Sequence, residues 1–184
     1  MSKFFSSVWV KCTTFLLALT VILGGSLAIL NDVLYVSPEE RTARAVKKIY
    51  GRVVEDITEP ENFTVIEYKN LGKINKILYV EEDILFQATG YNGYKNGTIT
   101  LWTKVSNNKI DKIVMESYDK QTLMSKFSVS YYSKFYIDVT NNTDLFTPKT
   151  DGTSSNENPM TGATKSATAA CNAVNCVITY LGGL

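Results

Sequence analysis

Histidine is absent from all 184 residues of the chain. Its absence removes the Ser-His-Asp and Cys-His arrangements, the usual acid/base at neutral pH and the imidazole metal ligands. Cysteine is scarce, with three residues at Cys12, Cys171 and Cys176. Cys12 lies in an apolar segment. On a helix, Cys171 and Cys176 point about 140° apart, which supports neither a disulfide nor a Cys-x-x-Cys redox pair. Both read as small apolar residues. The net charge of +1 supplies no basic field for nucleic acid and no acidic field for cations. A hydrolase is disfavoured, because no nucleophile–base set can be assembled from what remains.

What is present describes a globular chain. Hydrophobic residues make up 45% and charged residues 20%, enough for one domain of ordinary size plus a short extra segment. Lysine outnumbers arginine and asparagine, isoleucine and tyrosine are abundant, a bias of AT-rich bacterial genomes.

The extra segment is N-terminal. Cys12 to Leu30 reads CTTFLLALTVILGGSLAIL, about 19 uncharged residues, the length of a membrane-crossing helix. Lys3 and Lys11 precede it and no lysine follows at once, so the positive-inside bias places residues 1–11 in the cytoplasm, a transmembrane anchor at 12–33, and a domain at 37–184 outside. Ser26-Leu27-Ala28 also has the small-x-small form of a signal-peptide cleavage site, and that reading exports the domain too.

The body begins with Ser37-Pro38-Glu39-Glu40, a capping box with proline at the first helical position. The helix is expected to stop at Gly51 and to turn Ala43, Val46, Ile49 and Tyr50 inward, with Arg44, Lys47 and Lys48 on a solvated face. From Phe63 the period becomes two. Strands are predicted over Phe63–Lys69, Lys73–Val80 and Ile84–Thr89, then a hairpin of Thr98–Val105 and Lys109–Ser117 around Ser106-Asn107-Asn108. Gly90-Tyr91-Asn92-Gly93 lies between, where two glycines permit a tight turn and close approach of a ligand, and Tyr91 and Tyr94 offer flat faces. Gln121-Thr122 reads as loop, and 130–135 fits helix or strand. Residues 147–159 are polar and rich in turn formers. An amphipathic helix closes the chain, with Ala167, Ala170, Cys171, Val174, Val177, Ile178 and Leu181 on its apolar stripe. The fold class expected is α+β: a small twisted antiparallel sheet with flanking helices, behind one transmembrane helix.

That last helix opens on Thr161-Gly162-Ala163-Thr164-Lys165-Ser166. Read plainly, this is a helix start with Thr161 or Ser166 as N-cap. Set beside the Gly-Tyr-x-Gly turn, the Asn-rich hairpin, the Gln121-Thr122 loop and the N-terminal span, it resembles the Ser/Thr-Gly-Ala-Thr-x-Ser/Thr signature of the FMN-binding domain family. That domain occurs in the G subunit of Rnf-type electron-transport complexes and the C subunit of the sodium-translocating NADH:quinone oxidoreductase. The resemblance covers roughly residues 63 to 181.

The resemblance implies covalent FMN on Thr164, joined through a phosphoester by a separate flavin transferase. The Thr164 hydroxyl would attack the FMN-side phosphorus of FAD, forming the P–O bond as the pyrophosphate linkage breaks and AMP leaves, with magnesium on the transferase. Thr161, Gly162, Ala163 and Ser166 would surround the attachment point, and Gly90, Tyr91, Asn92, Gly93, Gln121 and Thr122 would contact the flavin. Membrane electron-transport subunits are the implied partners, in an Rnf-like complex or with the protein acting as a stand-alone electron carrier. The sequence departs from the family at Asn158, where Asp is common, and after Gln121-Thr122, where Leu123-Met124 replaces the Pro-Gly-Leu-Gly continuation. The alternative function is a non-redox, membrane-tethered binding or assembly domain.

Overall fold

The computed structural model describes residues 8–107, 109–122, 147–148, 157–158 and 164–182. The chain divides into two compact units, Met1–Arg41 and Thr42–Leu184.

The first unit contains helix α1, Val8–Leu34, which starts four residues before the expected span. None of its residues is buried. Its hydroxyls are satisfied within the helix: Thr13, Thr14, Thr20 and Ser26 each donate to the carbonyl four residues back. A helix so apolar, with its few polar groups turned onto its own backbone, is long and apolar enough to cross a membrane.

Helix α2 spans Pro38–Tyr50. Its start follows the capping box: the Ser37 hydroxyl accepts from the Glu40 amide at 3.1 Å. Its end follows the glycine, since Gly51 takes φ +72° and its amide reaches the Lys47 carbonyl at 2.8 Å. Val46 and Ile49 are buried as expected, and Arg44, Lys47 and Lys48 are exposed. Ala43 is not inward; it is exposed, and Ala45 packs against the core in its place. The inward stripe is therefore Thr42, Ala45, Val46, Ile49 and Tyr50, a regular i, i+3, i+4, i+7, i+8 pattern.

The sheet is antiparallel. It comprises β1 (Ile57–Thr58), β2 (Ile66–Tyr68), β3 (Gly72–Val80), β4 (Asp83–Gly90), β5 (Ile99–Ser106) and β6 (Lys109–Tyr118), ordered β1-β3-β4-β5-β6 with β2 also on β3. The predicted strand over Phe63–Lys69 shortens to three residues, although Phe63 still packs on the core. Asn107, at φ +49°, turns the β5–β6 hairpin. Of three register slips in the sheet, two decide which residues face the core. The register slips between Ile74 and Lys76 on β3, so Ile74 and Ile77 lie on one face despite odd spacing. A second slip opposite Lys104 and Val105 does the same for Ile110 and Ile113 on β6.

Both sheet faces are covered. On one, Phe86, Ala88, Leu101 and Val105 pack under helix α3, Thr164–Gly182. On the other, Leu78, Leu85, Trp102 and Val114 pack under Val46 and Ile49 of α2. Trp102, which alternation places with Thr100 and Lys104, is thereby fully buried. The expected apolar stripe on α3 proves too narrow: every residue from Ser166 to Ile178 except Thr168 is buried. Among the described residues, β7 (Thr147–Pro148) lies against α3 and pairs in parallel with β8 (Glu157–Asn158). Four residues of the polar 147–159 stretch, Thr147, Pro148, Glu157 and Asn158, thus have strand pairing; the 130–135 segment lies outside the described residues.

Candidate functional site

Thr164 is the first residue of α3, and both it and Lys165 are exposed. No acidic residue occupies the first turn. The free amides of a helix start and the Lys165 ammonium together make this end positive. One turn on, the Thr168 hydroxyl donates to the Thr164 carbonyl at 2.9 Å. Thr161, Gly162 and Ala163 lie outside the described residues.

Ser166 does not cap the helix. It lies inside α3, is 3% exposed, and its hydroxyl donates to Gln121 Oε1 at 2.8 Å. Gln121 follows β6 and is itself buried. Its Oε1 also accepts from the Tyr94 amide at 3.2 Å, and its Nε2 donates to the Asp119 carbonyl at 2.8 Å. One glutamine side chain therefore ties three places together: the start of α3, the loop after β4 and the end of β6. Thr122, beside it, is exposed.

The Gly90–Gly93 turn ends β4 against α3. A Cβ at Gly90 would overlap the Ala169 carbonyl oxygen and the Ala173 amide nitrogen, so a glycine is needed for strand and helix to touch. A Cβ at Gly93 would meet the Gln121 amide and the Gly97 carbonyl. At each glycine, the position a side chain would take is thus occupied by the protein itself. Neither glycine supplies the positive φ of the loop; Asn92 (+64°), Lys95 (+50°) and Asn96 (+57°) do. Asn92 Nδ2 donates to the Asn70 carbonyl at 2.7 Å, which fixes that conformation.

Tyr91 is held at several points. Its amide donates to the Leu71 carbonyl at 2.8 Å, its carbonyl accepts from Asn172 Nδ2 at 3.0 Å, and its hydroxyl donates to Glu67 Oε1 at 3.2 Å. Burial first, then the bond to Glu67, raises the phenol above its ordinary value. Tyr94 is exposed, with the Lys95 ammonium 5.5 Å from its ring centre.

Gly90, Tyr91, Gly93, Gln121 and Ser166 are therefore joined around the first half of α3, with Asn92 in the same turn and Thr164 at the helix tip. No family model and no curated protein matches the chain. The likeness to the FMN-binding domain rests on the residues quoted above. Among the described residues, no cluster of three or more His, Cys, Asp or Glu could hold a metal ion.

Sequence reasoning missed Asn172, Ala169 and Ala173, which hold the turn onto the helix. A signal was available. After Lys165 the helix carries no charge through Gly182 while including Ala169, Asn172, Ala173, Asn175 and Cys176 away from the expected stripe. A helix apolar on every side belongs in a protein core or a membrane, and the asparagines and alanines within this one suit a core.

Proposed function

We propose that the protein is a membrane-anchored flavoprotein with FMN joined through a phosphoester to Thr164, acting as an electron carrier outside the cytoplasm. The observation that carries this reading is the place of Thr164, exposed at the first position of a helix whose first turn bears no acid. The residues fit the group on three counts. A second enzyme can reach the hydroxyl. A phosphodiester there meets a positive helix end and Lys165. The hydrogen bond from Ser166 to Gln121 and the packing of Gly90 hold the helix start against a braced loop.

When bound, FMN supplies the redox chemistry. The chain's part is to keep the cofactor attached and oriented, and the ester bond keeps it from diffusing away. Tyr94, exposed beside Lys95, offers a ring face on the same loop. Attachment would proceed by attack of the Thr164 hydroxyl on FAD in the site of a flavin transferase, with AMP leaving and the hydroxyl proton passing to a base of that enzyme. Electron-transport subunits of the same membrane are the partners, in an Rnf-like complex or for a carrier acting alone.

Intact-protein mass spectrometry after coexpression with a flavin transferase tests the attachment. The expected result is a gain equal to FMN less water, kept in Ser166→Ala and lost in Thr164→Ala. No gain in the wild-type chain, or a gain that persists in Thr164→Ala, removes the assignment and leaves a non-redox tethered domain.

A further inference from the structure

Helix α2 has two unlike faces. Val46 and Ile49 are sealed into the core beneath it, at 1% and 3% exposure. Arg41, Arg44, Lys47 and Lys48 are all exposed on the side turned away from them. At 3.6 residues per turn these four fall within one face about 120° wide, interrupted by Glu40 in the first turn and bordered by Ala43. Arg52 follows beyond the helix, ion-paired with Glu81. The cations outnumber the acids Glu39 and Glu40 of the same helix by two (four less two).

The second observation is covalent. Tyr35, Val36 and Ser37 are all that separate α1 from α2. Three residues reach at most about 11 Å. A helix tethered that closely to a membrane span stays near the headgroups without being bound to them, and meets a high local concentration of lipid phosphate. The four cations are strongly hydrated or guanidinium groups on long stems, suited to phosphate and poorly suited to burial in protein.

We propose that the Arg41–Lys48 face of α2 docks on the anionic phosphate headgroups of the bilayer that α1 crosses, fixing the orientation of the domain over the membrane. This inference rests on α1 being a retained anchor. The docked face is the one opposite the sheet, on which Val46 and Ile49 pack. Screening should be strong, because the contacts are exposed and the Debye length falls to about 3 Å at 1 M salt.

The test uses the full chain with Cys12→Ser and Ala43→Cys, since Cys171 and Cys176 are fully buried and leave position 43 as the reactive site among the described residues. A fluorophore there is read against headgroup-labelled quencher lipid, in vesicles of phosphatidylcholine alone or mixed with phosphatidylglycerol. Flotation of the vesicles comes first and reports the anchor. The expected result is quenching in the anionic vesicles, absent in the neutral ones and reversed by high salt. The docked population should fall about fivefold for each cation removed, so that Arg44→Gln with Lys47→Gln and Lys48→Gln abolishes quenching while circular dichroism and flotation are unchanged. Equal quenching in the two lipid compositions, or quenching that survives the triple variant, overturns the proposal. Protein that does not float overturns the anchor reading, and the docking inference with it.

Discussion

Ser166 and Gln121 are 45 residues apart in the chain, yet their side chains share a buried hydrogen bond of 2.8 Å. Gln121 Oε1 accepts from both Ser166 and the Tyr94 amide, so losing one donor leaves it satisfied. Ser166→Ala should then cost about 1 kcal/mol, the net value of one hydrogen bond. Gln121→Leu strands the Ser166 hydroxyl and the Tyr94 amide together, and should cost about 2–4 kcal/mol by the desolvation of two unpaired groups. Urea unfolding in detergent compares the two; an equal loss would mean that Gln121 is not the hub. Asparagine has a different residue-scale role. Asn62, Asn70, Asn92, Asn96 and Asn107 all take positive φ, so it serves at turns where glycine is commonly used. Cys176 is inert for a simple reason: burial pushes its thiol up to about 12, so the reactive thiolate is not populated near neutral pH.

At the scale of elements, α2 is fastened at its C-terminal end. Lys112 Nζ donates to the Ile49 carbonyl at 2.7 Å, placing a cation on the negative end of the helix. Tyr50 donates to Asp83 Oδ2 at 2.8 Å, and Lys104 lies 3.2 Å from Asp83 and 2.7 Å from Asp111. Burial by itself would raise the Asp83 carboxyl, but hydrogen bonds from Ser106, Tyr50 and Lys104 outweigh it and hold the group below its ordinary value. A carboxylate depressed in the folded state contributes stability that is present above its unfolded pKa, about 3.9. That stability is lost as pH falls through the lower folded value. The melting temperature should therefore drop on acidification below about pH 4, and Asp83→Asn should flatten that part of the profile while lowering stability at neutral pH. A variant with the wild-type acid slope would show that other carboxylates carry it. The capping box, the Gly51 stop and the solvated cations of α2 were all legible, because each is written in adjacent residues. The exposure of Ala43 was not, since a helix can rotate by part of a turn without changing its periodicity.

For the whole molecule, the orientation of α1 determines which compartment the Thr164 tip faces. Lys3 and Lys11 pull the N-terminus inward, while Arg41, Arg44, Lys47 and Lys48 follow the span closely enough to pull the other way. The proposed location requires the first pair to win, which the docking of α2 cations on the outer surface would assist. With Cys12→Ser and Ala43→Cys, a membrane-impermeant thiol reagent added to intact cells should label position 43. Labelling that appears only after permeabilisation would place the domain in the cytoplasm and end the extracytoplasmic reading. A cleaved signal peptide would show as a mature chain lacking α1 and released from membranes at alkaline pH.

The sequence alone determined the α+β class, the apolar N-terminal helix, the two ends of α2, the strand series with its Asn107 turn, and a last helix that opens within residues 161–166. All of these follow from local chemistry: capping, turn conformation, and period. Only the tertiary structure decided what each face meets. Two slips of register set which side of β3 and β6 is buried, and they leave no mark in residue types. Packing on both faces of the sheet buried Trp102, and burial on all sides of α3 took in Asn172 and Asn175. Long-range contact also changed the meaning of the Gly90–Gly93 turn, whose glycines make room for Ala169, Ala173 and Gln121. A motif states which conformations are open to the backbone; the atoms that fill the space beside it come from elsewhere in the chain.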